Sequence, residues 1–279
     1  MIVVTGATGN VGRPLTRALA EAGEEVTAVS RHPAVVPDGA RHLVADLAGP
    51  VGLGPALDGA KALFLLLSGD LHASGADPAG IIAEAAARGV RRVVLLSTQG
   101  VVTRPFGTTR IGMRALEDTL RESGLEWAVL RPGGFASNAL WWAESVRTRQ
   151  VVAAPFGDTG VPVVDPADIA GVAAACLLEE RYTGEAYELT GPEVITPREQ
   201  TEAIAAALGW PVRFHELTRE EARAAMTRNM PAELADDTLD ILGSPSPAEQ
   251  RVSPDVERVL GRAPRPFTDW AARNADAFR

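Results

Sequence analysis

The apolar residues of this chain fall into short, nearly unbroken runs: Ile2–Thr5, Glu25–Ser30, His42–Ala45, Ala62–Leu67, Arg92–Ser97 and Trp127–Leu130. Runs of this length without polar alternation predict strands buried on both faces of a parallel sheet. Between them lie stretches rich in Ala, Leu and Arg. Pro14–Ala22 stops at Gly23, Pro78–Arg88 at Gly89 and Thr109–Ser123 at Gly124. Proline near a start and glycine just past an end punctuate helices, so these three stretches predict helices. Strand and helix alternate in this way over roughly the first 130 residues, the pattern of an α/β fold with a doubly wound parallel sheet.

After Arg131-Pro132 the pattern changes. Gly133–Asn138 predicts a loop, Ala139–Arg149 a helix and Gly160–Val164 a short strand. Asp165-Pro166-Ala167-Asp168 opens a helix to about Glu179, and Pro197–Leu208 is a helix closed by Gly209. Ala186–Thr190 and Val212–Leu217 are strand-like. From Thr218 the chain is helical and polar, with a break at Gly243–Pro247. It ends in Phe267–Phe278, which sets Phe267, Trp270, Ala271 and Phe278 on one side. The 279 residues are expected to divide into a nucleotide-type domain at 1–150 and a smaller α+β substrate region at 151–279. That region is expected to pack on the sheet edge, with an interleaved boundary.

Composition narrows the partners. Lys and Arg number 27 against 36 Asp and Glu, a net charge of −9, which speaks against a nucleic-acid footprint. Cys176 is the single cysteine, so neither an internal disulfide nor a cysteine-based metal cluster is available. The four histidines are scattered without ligand spacing, and no metal is expected. No apolar run approaches the roughly 18 residues that cross a bilayer, and Met1-Ile2-Val3-Val4 carries no basic leader. The expectation is a cytoplasmic monomer or homodimer acting on a small molecule, with no membrane partner.

The strongest chemical signal is Thr5-Gly6-Ala7-Thr8-Gly9-Asn10-Val11-Gly12, set between a strand and a helix. Gly6 permits a tight turn, Gly9 lets the backbone approach a pyrophosphate, and Gly12 lets helix and strand pack closely. The helix start then offers unpaired N–H groups and a positive dipole end to phosphate. Thr8, Asn10 and Val11 belong to the same cradle. The next strand ends in Ser30-Arg31, and no acid occurs from Val26 to Val36. An acid there would take the ribose hydroxyl of NAD, whereas an arginine suits the phosphate of NADP. NADP(H) is therefore expected over NAD(H), with Ser30 as an added donor. Asp46 and Leu47, closing the third strand, are placed for the adenine edge.

Together with Gly124-Leu125-Glu126-Trp127, Tyr187-Glu188-Leu189-Thr190-Gly191-Pro192 and Phe267-x-x-Trp270, these motifs resemble the atypical short-chain dehydrogenase/reductases, and among them the NmrA-like NAD(P)-binding proteins. The resemblance covers almost the whole chain. It implies a Rossmann-type domain with a small C-terminal substrate region, and either quinone, dye or isoflavone-type reductase activity or a dinucleotide-sensing role. The usual Tyr-x-x-x-Lys of such enzymes maps onto Thr109 and Met113. No tyrosine here precedes a lysine by four, because Lys61, the sole lysine, precedes both tyrosines. A phenol acid tuned by a neighbouring ammonium is therefore missing. Ser97, Thr98 and Thr109 are the remaining hydroxyl candidates for catalysis.

Leu67 and Ser68 end the fourth strand and are expected beside the nicotinamide ribose, with the backbone of Pro132 and Gly133 near its carboxamide; Ser97, ending the fifth strand, is expected to reach a substrate oxygen and is counted with the cofactor contacts. Phe135, Asn138, Trp141, Trp142 and Met226 are candidates for a substrate pocket, although paired tryptophans and methionines also serve as core. The expected activity is NADPH-dependent reduction of a flat, apolar quinone-like or aromatic carbonyl compound. A non-catalytic NADP(H) sensor and an enzyme tailoring aromatic natural products are the alternatives.

Overall fold

Ile2–Val4, Val26–Ser30, Ala62–Leu66 and Arg92–Leu96 are aliphatic on both faces, and in the structure both faces are covered. The structure, a computed structural model, describes residues 1–47, 52–67, 78–106 and 108–279, and for Thr108 and Thr109 the backbone only. The described chain runs β1 (Ile2–Val4), α1 (Gly12–Glu21), β2 (Val26–Ser30), β3 (Ala40–Val44), α2 (Gly54–Leu57), β4 (Ala62–Leu66), α3 (Pro78–Ala87) and β5 (Arg92–Leu96). It continues through α4 (Gly100–Thr103), α5 (Thr108–Glu122), β6 (Glu126–Pro132), a 3-10 segment at Ala136–Trp142, α6 (Ala143–Arg149) and β7 (Val151–Ala154). Then come α7 (Pro166–Leu178), β8 (Glu185–Leu189), α8 (Pro197–Leu208), β9 (Arg213–Glu216), α9 (Arg219–Met226), α10 (Ala232–Gly243), α11 (Asp255–Leu260) and α12 (Phe267–Arg273).

Two compact units share this chain. The first comprises Met1–Pro132, Pro166–Leu189 and Asp255–Arg262; the second comprises Gly133–Asp165, Thr190–Pro254 and Ala263–Arg279. This differs from a cut near residue 150. Residues 133–150 fall in the second unit, while α7, β8 and α11 return to the first.

The first unit holds a seven-stranded sheet in the order β3-β2-β1-β4-β5-β6-β8, with every pairing parallel. Alternate residues face opposite sides of a strand. Val3, Val29, Leu63, Leu65, Val93, Leu95 and Val129 pack against Leu53 and Leu57 of the α2 region, Ile82 of α3, and Leu116 and Leu120 of α5. On the other side lie α1, with buried Leu15 and Leu19, and α7, with buried Ile169, Val172 and Ala173. The order reverses between β1 and β4, and it is outside the C-terminal ends of strands at such a point that open α/β sheets bind ligands. Thr5 fastens those two strand ends: its hydroxyl accepts from the Leu66 N–H at 2.7 Å and donates to the Phe64 carbonyl at 3.1 Å.

The second unit has its own core. Phe267, Trp270 and Phe278 stack at its centre with Ile204 and Leu208 of α8, which meets the expectation for the C-terminal stripe. Its sheet is a parallel pair, β7 with β9. The strand expected at Gly160–Val164 does not form. Only single bridges exist there, Val161 to Ile195 and Val164 to Phe135, and Pro162 has no N–H to continue a ladder. β7 itself was not expected. The stretch read as a loop at Gly133–Asn138 tightens into 3-10 geometry from Ala136 onward, and α6 begins only at Ala143.

Candidate functional site

The glycine turn sits between β1 and α1, at the reversal point of the sheet. Gly6 has φ +61°, a left-handed conformation that glycine adopts without strain. A Cβ on Gly12 would lie 2.1 Å from the Gly6 carbonyl oxygen and 2.7 Å from Ala7 Cα, both fixed backbone atoms. Only glycine fits there. Gly9 is different: its added Cβ would meet nothing but the Gly6 oxygen, at 3.3 Å, so it would stand over the open face of the turn. No side chain caps α1, because Val11 occupies the N-cap. The N–H groups of Val11 and Gly12 have no hydrogen-bond partner among the described residues. Open backbone donors, a helix dipole and a face cleared of Cβ atoms together fit the pyrophosphate of a dinucleotide.

Arg31 directly follows β2 and is exposed, and Asp46 is exposed after β3, with Leu47 half-buried against the sheet's core. Ser30 is otherwise engaged: its hydroxyl donates to the His32 carbonyl at 2.7 Å and meets His42 Nε2 at 2.8 Å. Leu67 follows β4 and packs on the same core. Ser68 lies outside the described residues. Pro132 ends β6, and Gly133 opens the second unit.

At the end of β5 the structure reveals a polar network that sequence reading missed. Glu117 of α5 is fully buried. Its carboxylate accepts from the Ser97 hydroxyl at 2.6 Å, from Arg131 at 3.0 and 2.5 Å, and from Arg121 at 2.8 Å. Burial pushes its pKa up, but the hydrogen bonds from Arg131, Ser97 and Arg121 outweigh this and hold the carboxyl below its ordinary value. A signal was present, since Glu117 lies on the same helical stripe as Met113, Leu116 and Leu120, which face the core. The Ser97 proton is thus committed to an ionised carboxylate. Thr98 accepts from the Gly100 N–H at 3.2 Å, and its own proton has no acceptor among the described residues. Thr109 lies in the first turn of α5, but its side chain lies outside the description. Neither tyrosine substitutes for the missing acid. The Tyr182 hydroxyl donates to the Val259 carbonyl and the Tyr187 hydroxyl to the Tyr182 carbonyl, each at 3.0 Å. Lys61 pairs with Glu24 at 2.8 Å.

Within the second unit a cavity of about 900 Å³ opens beside the 3-10 segment and α6. Phe135, Asn138, Trp141, Trp142 and Met226, the expected pocket residues, all line it. Both tryptophans take part: Trp142 packs partly on the second core, and Trp141 is 62% exposed. Met230 joins Met226, and Val161, Val163 and Ile195 complete the apolar wall. Arg149, Arg228 and Gln200 are among the polar lining residues that escaped the sequence reading. Gln200 shares the buried stripe of α8 with Ile204 and Leu208, and a polar residue on an apolar stripe was the available clue.

An all-parallel, doubly wound sheet with this glycine turn at its reversal point defines a dinucleotide-binding α/β protein. The NAD(P)H-binding family model matches residues 6–180, and the chain belongs to that family. The chain is 39% identical, over 100% of its own length and 99% of the other's, to (4-alkanoyl-5-oxo-2,5-dihydrofuran-3-yl)methyl phosphate reductase of Streptomyces griseus. It is 32% identical, over the same shares, to NAD(P)H azoreductase of Xenophilus azovorans. A solved NADPH-dependent quinone oxidoreductase of Escherichia coli in complex with NADPH shares the fold, with TM-score 0.81 and 24% identity over 98% of this chain and 99% of that one. The chain is an NAD(P)H-dependent oxidoreductase. Among the described residues no helix is long and apolar enough to cross a membrane.

Proposed function

We propose that this chain reduces a flat, conjugated acceptor in the cavity of its second unit, with NADPH preferred over NADH. The observation that carries the reading is the cavity wall of Phe135, Trp141, Trp142 and Met226, aromatic and thioether surface suited to a planar apolar ligand. In this reading the backbone of Gly6, Thr8, Gly9, Asn10, Val11 and Gly12 holds the pyrophosphate, and Arg31 holds the 2′-phosphate through charge-assisted hydrogen bonds. Asp46 and Leu47 flank the adenine, and Leu67 and Pro132 lie toward the nicotinamide end. When bound, NADPH supplies the hydride.

The chain's own hydroxyls are weak acids. Ser97 is bonded to Glu117, which leaves Thr98, Thr109 or water to deliver a proton. General acid help is typically worth roughly 10²–10⁴-fold. An enzyme without it favours acceptors whose hydride adduct is already a stable anion. A quinone yields a phenolate and meets that condition. So does the unsaturated lactone of the Streptomyces relative's substrate, whose ring double bond is conjugated to two carbonyls, so that the adduct is an enolate shared between them. The azo substrate of the second relative is likewise a conjugated acceptor. A simple ketone gives an alkoxide and does not qualify. The test is NADPH consumption with a quinone, a conjugated lactone and an aliphatic ketone. Turnover of the first two well above the third is expected, and a faster ketone overturns the reading.

A further inference from the structure

Arg149 and Arg228 line the cavity, and neither guanidinium has a hydrogen-bond or ion-pair partner among the described residues. Several other arginines of the same unit are paired. Arg198, Arg219, Arg223 and Arg273 each lie against a carboxylate. The described lining offers a single acid, Glu144, against these two cations, in a chain whose net charge is −9. A second, independent feature also asks for a polar ligand. Gln200 lines the same cavity, its side-chain amide makes no hydrogen bond among the described residues, and its polar atoms remain open to solvent. An apolar wall with two unpaired guanidiniums and one amide free to bond a ligand is the complement of an amphiphile.

We propose that the acceptor reduced in this cavity carries an anionic substituent, a phosphate, sulfonate or carboxylate, held by Arg149 and Arg228, and an uncharged oxygen that pairs with Gln200. The inference rests on the reading of the cavity as the substrate site. Guanidinium suits such anions because its planar fork donates two parallel hydrogen bonds to two oxygens. Both arginines are exposed, so their field also reaches into solvent and speeds the encounter with an anion at low salt.

The probes are naphthoquinone and naphthoquinone sulfonate, which share an apolar body and differ in charge. The ratio of kcat/KM for the sulfonate over the parent is expected to exceed one and to fall as salt rises. In the Arg149→Gln/Arg228→Gln variant that ratio falls about tenfold, the lower end of what a charged hydrogen bond supplies, and Arg149→Lys/Arg228→Lys restores part of it. Gln200→Leu, similar in size, weakens both quinones. Direct binding of the sulfonate by calorimetry gives the same ordering without turnover. A sulfonate bound no better than the parent, or a ratio unmoved in the double glutamine variant, overturns the proposal. If the calorimetric ordering holds while neither quinone is reduced, the anion site stands and the reading of the reaction fails.

Discussion

Replacing Glu117 by glutamine keeps the shape of the side chain and removes its charge. The carboxylate is fully buried and accepts hydrogen bonds from Ser97, Arg121 and Arg131. Arg121 has a second carboxylate, Asp118, at 2.7 Å. Arg131 has no other partner among the described residues, and its side chain is 15% exposed. In Glu117→Gln a nearly buried cation loses its counter-charge, a change that costs about 3–5 kcal/mol. We take about 3, because water reaches part of Arg131. At roughly 2–4 °C per kcal/mol for a protein of this size class, the melting temperature should fall about 6–12 °C. Thermal unfolding followed by circular dichroism at pH 7 measures this. The double variant Glu117→Leu/Arg131→Met should recover much of the loss, because an apolar pair can fill a buried ion-pair site without penalty. The sign of the pH effect follows from the lowered carboxyl. Its contribution is present above the unfolded-state pKa of about 4.3 and is lost as pH falls through the lower native value. Wild type should therefore lose stability in acid more steeply than Glu117→Gln. A single variant melting within about 2 °C of wild type, or a double variant no better than the single, would refute the view that Arg131 depends on this carboxylate.

Gly9→Ala should fold normally and bind NADPH weakly, whereas Gly12→Ala should lower the melting temperature even without cofactor, since its Cβ meets backbone at 2.1 Å; calorimetry and thermal unfolding of both variants separate the two effects. Arg31→Ala should weaken NADPH by about tenfold to a hundredfold, the worth of a charged hydrogen bond, and leave NADH nearly unchanged; equal affinity of wild type for both cofactors sinks the assignment. Tyr182→Phe and Tyr187→Phe should keep the wild-type kcat with quinones, because each hydroxyl serves a backbone carbonyl; a large fall in kcat with unchanged melting would restore tyrosine to the chemistry.

The sheet could be read from the sequence because its strands are buried on both faces and written as unbroken aliphatic runs. The punctuation by Pro14, Gly23, Gly89, Gly124 and Gly209 located helix ends to within a residue or two. The glycine turn was equally plain, since its three glycines answer to backbone geometry rather than to distant packing. What stayed hidden depends on contacts between remote parts of the chain. β7 is four residues long and acquires its meaning from β9, some sixty residues on. Glu117 reads as one more acid on a helix until Arg131 and Ser97 are brought to it by neighbouring strands. Trp141 and Trp142 were ambiguous for the same reason: adjacent residues of one segment gave no hint that both border one cavity. Gln200 comes from α8, Arg149 from the end of α6 and Arg228 from the turn after α9, and although Gln200 stood out as polar on an apolar stripe, nothing local showed that the three share a wall.

The interleaving of the two units bears on how the chain is made and how it changes. The nucleotide-type sheet receives its last strand from Glu185–Leu189 and a further helix from Asp255–Leu260. During translation the β6 edge has no neighbour until β8 has left the ribosome, and α11, which lies on α7 and β8, follows only after a long further stretch of chain. Folding of this unit therefore waits on segments made long after its first strands, and an open strand edge of that kind is a template for wrong pairing in the meantime. The same weave removes any single point at which recombination could exchange one unit for another. New specificity must then arise by point substitution of residues such as Arg149, Gln200 and Arg228, against a scaffold inherited whole.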